Sequence, residues 1–328
     1  SNGSSRYTPA GTLSYGSATN PPIPGGDLVN TDLTQSPWEE DLQVYSLTAT
    51  YEMDKGSITA TSNIFDRNID FSFDSSPILI FFGVDDVANT LQPQDRRIWS
   101  NEIRYASNFE GPVNFVVGGY LQEENKVFQS LVIRSNQDGL PNSPFSPLNE
   151  DDALIGTGDT YFGRISRFDL SQKAIFGELT YDLSDQLTAL FGIRYFDSSY
   201  NSSDKTTHPF VGFTDDFIRD EVKQDQSSNK TTFKFNLSYE ATDDLLFYAT
   251  ASQGFRVGGV NQPTISNEVK VLPSYGPDTL WNFELGMKNS IWDGRATFNA
   301  AVYSMRWSNI QVQARDISGA FTFLTNAG

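Results

Sequence analysis

Apolar and polar residues alternate along most of this chain with a period of two. Segments 45–52, 233–240 and 281–288 alternate without an error, and segment 186–195 has one misfit at Leu190. Successive side chains of a β-strand point to opposite faces, so the pattern predicts strands with one apolar and one polar face.

Short polar turns and long polar segments connect these strands in strict alternation. The short turns comprise residues 53–56, 110–112, 183–186, 241–244 and 292–294. The long segments comprise residues 74–94, 126–160, 200–230 and 258–278. This alternation is typical of a transmembrane β-barrel, with short turns on one side of the membrane and long loops on the other.

The number of strands predicts only part of a barrel. We expect about eleven strands, at 42–52, 56–73, 95–109, 113–125, 161–182, 186–199, 230–240, 244–256, 279–291, 295–312 and 320–325. Bacterial single-chain barrels have even strand numbers, so an odd number indicates a fragment that is open at its edges. We therefore predict an irregular extracellular loop segment at 1–40 and a partial all-β antiparallel barrel at 41–328.

Composition limits the possible functions. The formal net charge is −18 and there is no basic run, which argues against a nucleic-acid partner. The chain has no cysteine, which excludes disulfides and thiolate metal sites. An apolar fraction of 38% with 13% aromatic residues suits a barrel, because only alternate strand positions must be apolar.

The charged residues of the alternating segments all lie on the same face of their strands. Lys234, Glu240, Glu284 and Lys288 all lie on the polar face. A charge facing lipid near the midplane would cost about 2–4 kcal/mol, so this face is predicted to line the lumen. Aromatic residues beside the short turns predict the interfacial girdle, namely Tyr51, Tyr181, Tyr239, Phe247 and Trp292.

Several segments, in family order, resemble motifs of TonB-dependent outer-membrane receptors. They are residues 100–105 (SNEIRY), 174–188 (AIFGELTYDLSDQLT), 192–195 (GIRY), 248–261 (YATASQGFRVGGVN), 277–288 (PDTLWNFELGMK) and 303–312 (YSMRWSNIQV). The resemblance implies about half of a barrel of about 22 strands, whose lumen an N-terminal plug closes. The plug and the segment that contacts TonB are expected to lie outside this chain.

The resemblance also implies a function and its partners. It implies a bacterial outer-membrane receptor for active uptake of a scarce small molecule, here expected to be an iron–siderophore complex. Cobalamin, haem and glycans are the other ligands of the family. The partners would be this ligand, outer-membrane lipid and, through the plug, the TonB complex, with no cofactor and no enzymatic activity.

Two other classes of protein share parts of the pattern. A passive porin-like channel has the same alternation but needs fewer strands and no plug. A secreted, glycan-binding β-sandwich or propeller would bury its apolar face in a core and would have no aromatic girdles.

The candidate ligand-binding residues lie in or beside the long segments, because a rigid scaffold positions such loops for binding. We find no catalytic constellation and no set of metal ligands in the sequence. Segment 254–261 combines an arginine with flexible glycines, and segment 78–82 offers an apolar wall. The candidates are Arg256, Asn261, Gln262, Tyr275, Phe81, Phe82, Tyr161 and Arg164.

Overall fold

The computed structural model describes residues 32–81, 83–136, 140, 142, 159–208, 221–263, 271–315 and 322–328. Ten long strands dominate it: β1 (Trp38–Met53), β2 (Gly56–Asp74), β4 (Gln94–Ser107), β5 (Val113–Arg134), β6 (Thr160–Ser184), β7 (Leu187–His208), β8 (Val222–Thr242), β9 (Leu245–Arg256), β12 (Asp278–Ile291) and β13 (Ala296–Ser308). The short elements are α1 (Ser76–Phe81), β3 (Ala88–Leu91), β10 (Gly259–Val260), β11 (Ser274–Tyr275), β14 (Ile310–Arg315) and β15 (Thr322–Ala327). No helix in the described ranges is long and apolar enough to cross a membrane.

The long strands and β3 form one antiparallel sheet of eleven strands, which confirms the predicted class. Each long strand pairs with the next long strand along the chain, from β1 to β13. The strands β10 and β11, and likewise β14 and β15, form two separate pairs. Within the described ranges, β1 and β13 do not pair with each other, so the sheet is open.

All five predicted short turns lie at one end of the sheet, called the turn end, and the long connections lie at the loop end. The turn between β12 and β13 has the left-handed backbone at Trp292, Asp293 and Gly294, with φ of 57°, 54° and 79°. Aspartate and glycine tolerate this conformation better than most residues, which suits a reversal at this point.

The two faces of the sheet differ in chemistry. The apolar face carries exposed large side chains: Leu47 is 72% exposed, Ile175 67% and Leu285 61%. The polar face carries cross-strand pairs, including Lys234 Nζ with Glu178 at 3.0 Å and Tyr248 Oη donating to Glu284 at 2.6 Å. An exposed apolar face this extensive requires an apolar environment.

Aromatic side chains border the apolar face in two rows. The row beside the turn end contains Tyr51, Tyr105, Tyr181, Tyr239 and Phe247. The second row lies about eight to ten residues from the turns and contains Tyr45, Trp99, Tyr195, Phe233 and Trp281. About nine to eleven residues of tilted strand cross a bilayer, so the two rows mark the edges of a hydrocarbon band.

Beyond the second row the strands continue further than predicted. β7 extends to His208 and β8 begins at Val222, inside the segment that we expected to be a loop. Both faces of these two segments are mostly polar, so the apolar alternation ends while the backbone ladder continues. The hydroxyl groups of Ser198 and Ser228, for example, lie 2.9 Å apart on adjacent strands.

Three other element boundaries differ from the prediction. Segment 74–94 contains α1, whose Leu79 is fully buried against Ala88 and Val132. The predicted strand 295–312 is divided at Asn309, whose φ is 53°. β1 begins at Trp38, slightly inside the segment that we expected to be irregular.

Candidate functional site

Four of the candidate residues, Arg256, Asn261, Gln262 and Tyr275, lie in or beside the connection from β9 to β12 and are called the loop-end cluster. Arg256, the last residue of β9, donates from Nε to Oδ2 of Asp278 at 2.9 Å. The Gln311 amide donates to the same carboxylate at 3.1 Å, and Asp278 is 1% exposed. Burial would raise the pKa of Asp278, but the hydrogen bonds from Arg256 and Gln311 outweigh burial and lower it. Arg256 stays half-exposed, with its guanidinium 4.8 Å from the Trp307 ring.

The Asn261 side chain links this connection to β15 by hydrogen bonds. Its Nδ2 donates to the carbonyl oxygens of Leu272 and Leu324 at 2.8 and 2.7 Å. Its Oδ1 accepts from the Leu324 amide at 2.7 Å, so both ends of the side chain have partners. Asn326 makes a similar contact, donating to the Gly276 carbonyl at 3.0 Å. The geometry therefore gives Asn261 a positioning role.

Gln262 lies against the polar face of β6. Its Oε1 accepts from Arg164 Nη1 at 3.4 Å, and Arg164 Nη2 donates to the Pro263 carbonyl at 3.1 Å. Arg164 is buried, which lowers its pKa, and its guanidinium lies 5.4 Å from the Phe162 ring. This arginine therefore anchors the connection inside the loop end.

The end of β9 and the connection that follows it both contact the neighbouring strands β7 and β8. Phe255 stacks on the fully buried Phe196, with ring centroids 3.7 Å apart. Gln224 on β8 donates from Nε2 to the Pro273 carbonyl at 3.2 Å. These contacts indicate that the connection folds inward over the sheet.

Tyr275 packs on the backbone of its strand partner Gly259. A Cβ at Gly259 would lie 2.5 Å from the Tyr275 hydroxyl oxygen, so only glycine leaves room for the ring. Burial raises the pKa of Tyr275, which keeps its phenol protonated. Tyr275 thus belongs to the cluster that contains Arg256, Asn261 and Gln262.

Tyr161 lies in a separate hydrogen-bonded group. Its hydroxyl donates to Asp86, while Arg134 Nε donates to Asp86 at 2.7 Å and to the Tyr161 hydroxyl at 3.0 Å. Burial and the hydrogen bond to Asp86 raise the pKa of Tyr161. Phe81 is the last residue of α1, and Phe82 lies outside the described residues.

Sequence reasoning missed one of the two cations that lie beside aromatic rings on the polar face, namely Lys126. Lys126 lies 5.8 Å from the Phe128 ring and 5.7 Å from the Phe168 ring. The Arg194 guanidinium lies 5.5 Å from the Tyr120 ring. Neither cation forms an ion pair in the part of the chain that the structure describes. Lys126 was missed because it lies in a predicted loop, where face assignment by alternation is not available.

The two-faced open sheet, with aromatic rows and one-sided short turns, defines a section of an antiparallel transmembrane β-barrel wall. The family model of the TonB dependent receptor-like β-barrel matches residues 1–328. The chain therefore belongs to the family of TonB-dependent receptor β-barrels. Barrels of this family are outer-membrane proteins, and its members are transport receptors and not enzymes.

Solved structures share this fold. FyuA, the ferric yersiniabactin uptake receptor of Yersinia pestis, matches with a TM-score of 0.67 and 18% identity over 89% of this chain and 39% of its own. The siderophore receptor PiuA of Acinetobacter baumannii gives 0.59 and 12%, over 89% of this chain and 43% of its own. The ferric-catecholate import receptor Fiu of E. coli K12 gives 0.56 and 14%, over 90% of this chain and 44% of its own. The chain thus spans less than half the length of each of these receptors.

Proposed function

We propose that this chain forms part of the barrel of a bacterial outer-membrane receptor that takes up an iron–siderophore complex and is energised through TonB. Family membership carries the proposal. The three similar solved structures are receptors for ferric yersiniabactin, a siderophore and ferric catecholates, which supports an iron chelate as the ligand.

The ligand would bind at the loop end, on the side of the sheet that lines the lumen. Arg256 lies beyond the second aromatic row, so the β9–β12 connection is outside the hydrocarbon band. The half-exposed Arg256 guanidinium would face the ligand, with Gln262 and Tyr275 beside it. Asn261 and Arg164 would hold the connection in place.

Iron chelates present carboxylate, phenolate or carbonyl oxygens, which accept hydrogen bonds. A charge-assisted bond from Arg256 to such an oxygen would contribute about 1.5–3 kcal/mol. Phe81, Phe82 and Tyr161 would add apolar and phenol contacts from the neighbouring connections. In this arrangement the iron is cargo that stays within its chelator.

Energy coupling would act through the plug that barrels of the family enclose. The polar face would contact the plug below the ligand, while the apolar face contacts outer-membrane lipid. The residues 1–40 would contribute an extracellular segment and residues 41–328 the partial barrel. The chain would thus provide the wall and the ligand-binding loops of the receptor.

Uptake of radioactive iron by cells tests the proposal. A strain that lacks its other siderophore receptors would express the full-length receptor and be supplied with single ferric siderophores. We expect accumulation with one of them, and loss of that accumulation when tonB is deleted. Accumulation that continues without TonB would contradict the proposal and would favour a passive channel.

A further inference from the structure

Lys126 is an unusual cation on the polar face. It lies on β5, thirteen residues from Val113, and therefore beyond the second aromatic row. Its ammonium group lies near the Phe128 and Phe168 rings and forms no ion pair within the described ranges. Burial and the nearby Arg96 guanidinium lower its pKa. An anion at this position would therefore gain more from Lys126 than from a solvated lysine.

The neighbouring arginines already have partners. Arg96 donates to both carboxylate oxygens of Glu124, at 2.7 and 3.0 Å. Arg67 donates to Glu40 at 2.7 Å. The charges within each of these two pairs cancel. Lys126 therefore leaves a local positive charge in a chain whose formal net charge is −18.

The Phe128 and Phe168 rings lie beside this charge, and the Tyr200 ring lies next to Phe168. The Phe168 and Tyr200 rings lie 6.0 Å apart in a tilted arrangement. Burial raises the pKa of Tyr200, so its phenol stays neutral and can donate a hydrogen bond. A cation beside ring faces and a phenol donor suits a planar aromatic ligand that carries negative oxygens.

We infer that Lys126, with Phe128, Phe168 and Tyr200, forms a subsite for the anionic aromatic groups of the transported chelate. The ligand class is a ferric chelate with catecholate or phenolate donors and a net negative charge. This inference rests on the proposed function and specifies the ligand within it. It also predicts that neutral hydroxamate chelates do not depend on Lys126.

Binding measurements on the full-length purified receptor test this subsite. The probes are a triply anionic ferric tris-catecholate and a neutral ferric tris-hydroxamate, followed by quenching of tryptophan fluorescence. We expect Lys126→Gln to weaken tris-catecholate binding about tenfold, equal to about 1.4 kcal/mol. Lys126→Arg should restore most of the affinity, and added salt should reduce the difference between the variants.

Arg97→Gln is the matched control. Arg97 lies on β4 next to Arg96, but strand alternation places it on the opposite face, where its nearest carboxylate is that of Asp66 at 4.0 Å. Its removal also deletes one positive charge at a similar height. We expect the affinity of this variant for both probes to change less than about twofold.

The outcomes separate the subsite from the proposed function. Unchanged tris-catecholate affinity in Lys126→Gln, with normal heat-modifiable migration, would overturn the subsite and leave the receptor function standing. Binding of the neutral chelate alone would overturn the ligand class in the same way. Failure of the unsubstituted receptor to bind any ferric chelate would remove both proposals.

Discussion

Replacing Asp278 with alanine should release the β14–β15 pair from the loop-end cluster. The Asp278 carboxylate accepts from Arg256 Nε at 2.9 Å, from the Arg256 amide at 3.2 Å and from the Gln311 amide at 3.1 Å. This buried carboxylate connects β9, β12 and β14 through these contacts. Its loss leaves the two backbone amides without this acceptor, while the Arg256 guanidinium keeps its hydrogen bond to the Gln311 carbonyl oxygen at 3.3 Å.

The cost of this substitution follows from the three lost contacts. The two backbone hydrogen bonds and the guanidinium contact, which Nε and Nη2 of Arg256 make together, are lost at about 1 kcal/mol each, which gives about 3 kcal/mol in total. Arg256→Ala should cost only about 1 kcal/mol, because the half-exposed guanidinium is screened by solvent and the two backbone donors keep their acceptor. We therefore expect Asp278→Ala to destabilise the loop end more than Arg256→Ala does.

Amide hydrogen exchange of the full-length receptor in detergent measures this local opening. At about 1.4 kcal/mol per tenfold, Asp278→Ala should accelerate exchange of the β14–β15 amides by about 100-fold, and Arg256→Ala by less than about tenfold. The amides of β6 and β7 near the turn end provide an internal control, since they lie far from the substitution.

Two results would refute this reasoning. Equal acceleration in both variants would mean that the ion pair, and not the backbone donors, holds the hairpin. Unchanged exchange in Asp278→Ala would mean that the side chains of Asn261, Asn326 and Gln311 hold the β14–β15 pair in place without Asp278, through their contacts at 2.7–3.0 Å. Either result would mean that contacts other than the backbone hydrogen bonds to Asp278 hold the β14–β15 pair at the loop end.

Three further predictions concern the same sheet. Because the pKa of Asp278 is lowered, its stabilisation should be complete above its ordinary pKa of 3.8 and be lost as pH falls through the folded value, seen as faster β14–β15 exchange in acid only. Gly118→Ala should destabilise the barrel by about 1–3 kcal/mol in a denaturant titration, since its Cβ would lie 2.7 Å from a backbone oxygen, whereas Gly254→Ala meets nothing within 4 Å and should be neutral. Leu237→Arg on the apolar face should cost about 2–4 kcal/mol, and Asn236→Arg on the polar face much less; similar costs in the same titration would contradict the face assignment.

The sequence was most informative where one face must contact lipid. Alternation located every long strand inside the hydrocarbon band, because a one-residue slip would expose charges such as Lys234 to lipid. Above the band β7 and β8 carry mostly polar residues on both faces, so they extend beyond the predicted ends without an apolar alternation that would have revealed them. The helix α1 was missed for a related reason: its fully buried Leu79 packs against Val132, which is distant in sequence.

The candidate site was predictable only in part. Arg256, Asn261, Gln262 and Tyr275 were placed at the loop end by topology, and the structure brings them together with Arg164. Their individual partners were not predictable, since they depend on cross-strand register and on side chains from β15. Whether these residues contact a ligand stays a prediction.

In such a sheet, the face on which a cation lies determines what it can bind, and the number of cations matters less. Odd and even positions of a strand lie on opposite faces. Arg96 and Arg97 are adjacent in sequence, yet one pairs with Glu124 on the polar face and the other lies on the outer face. Lys126 lies directly across the β4–β5 ladder from Arg96, which places it on the polar face as well. Because Glu124 already neutralises Arg96, the free positive charge of this region belongs to Lys126. Selectivity for anionic ligands would then depend on the face that a cation occupies. Lys126→Gln and Arg97→Gln each remove one positive charge at a similar height but from opposite faces, so comparing their affinities tests this directly.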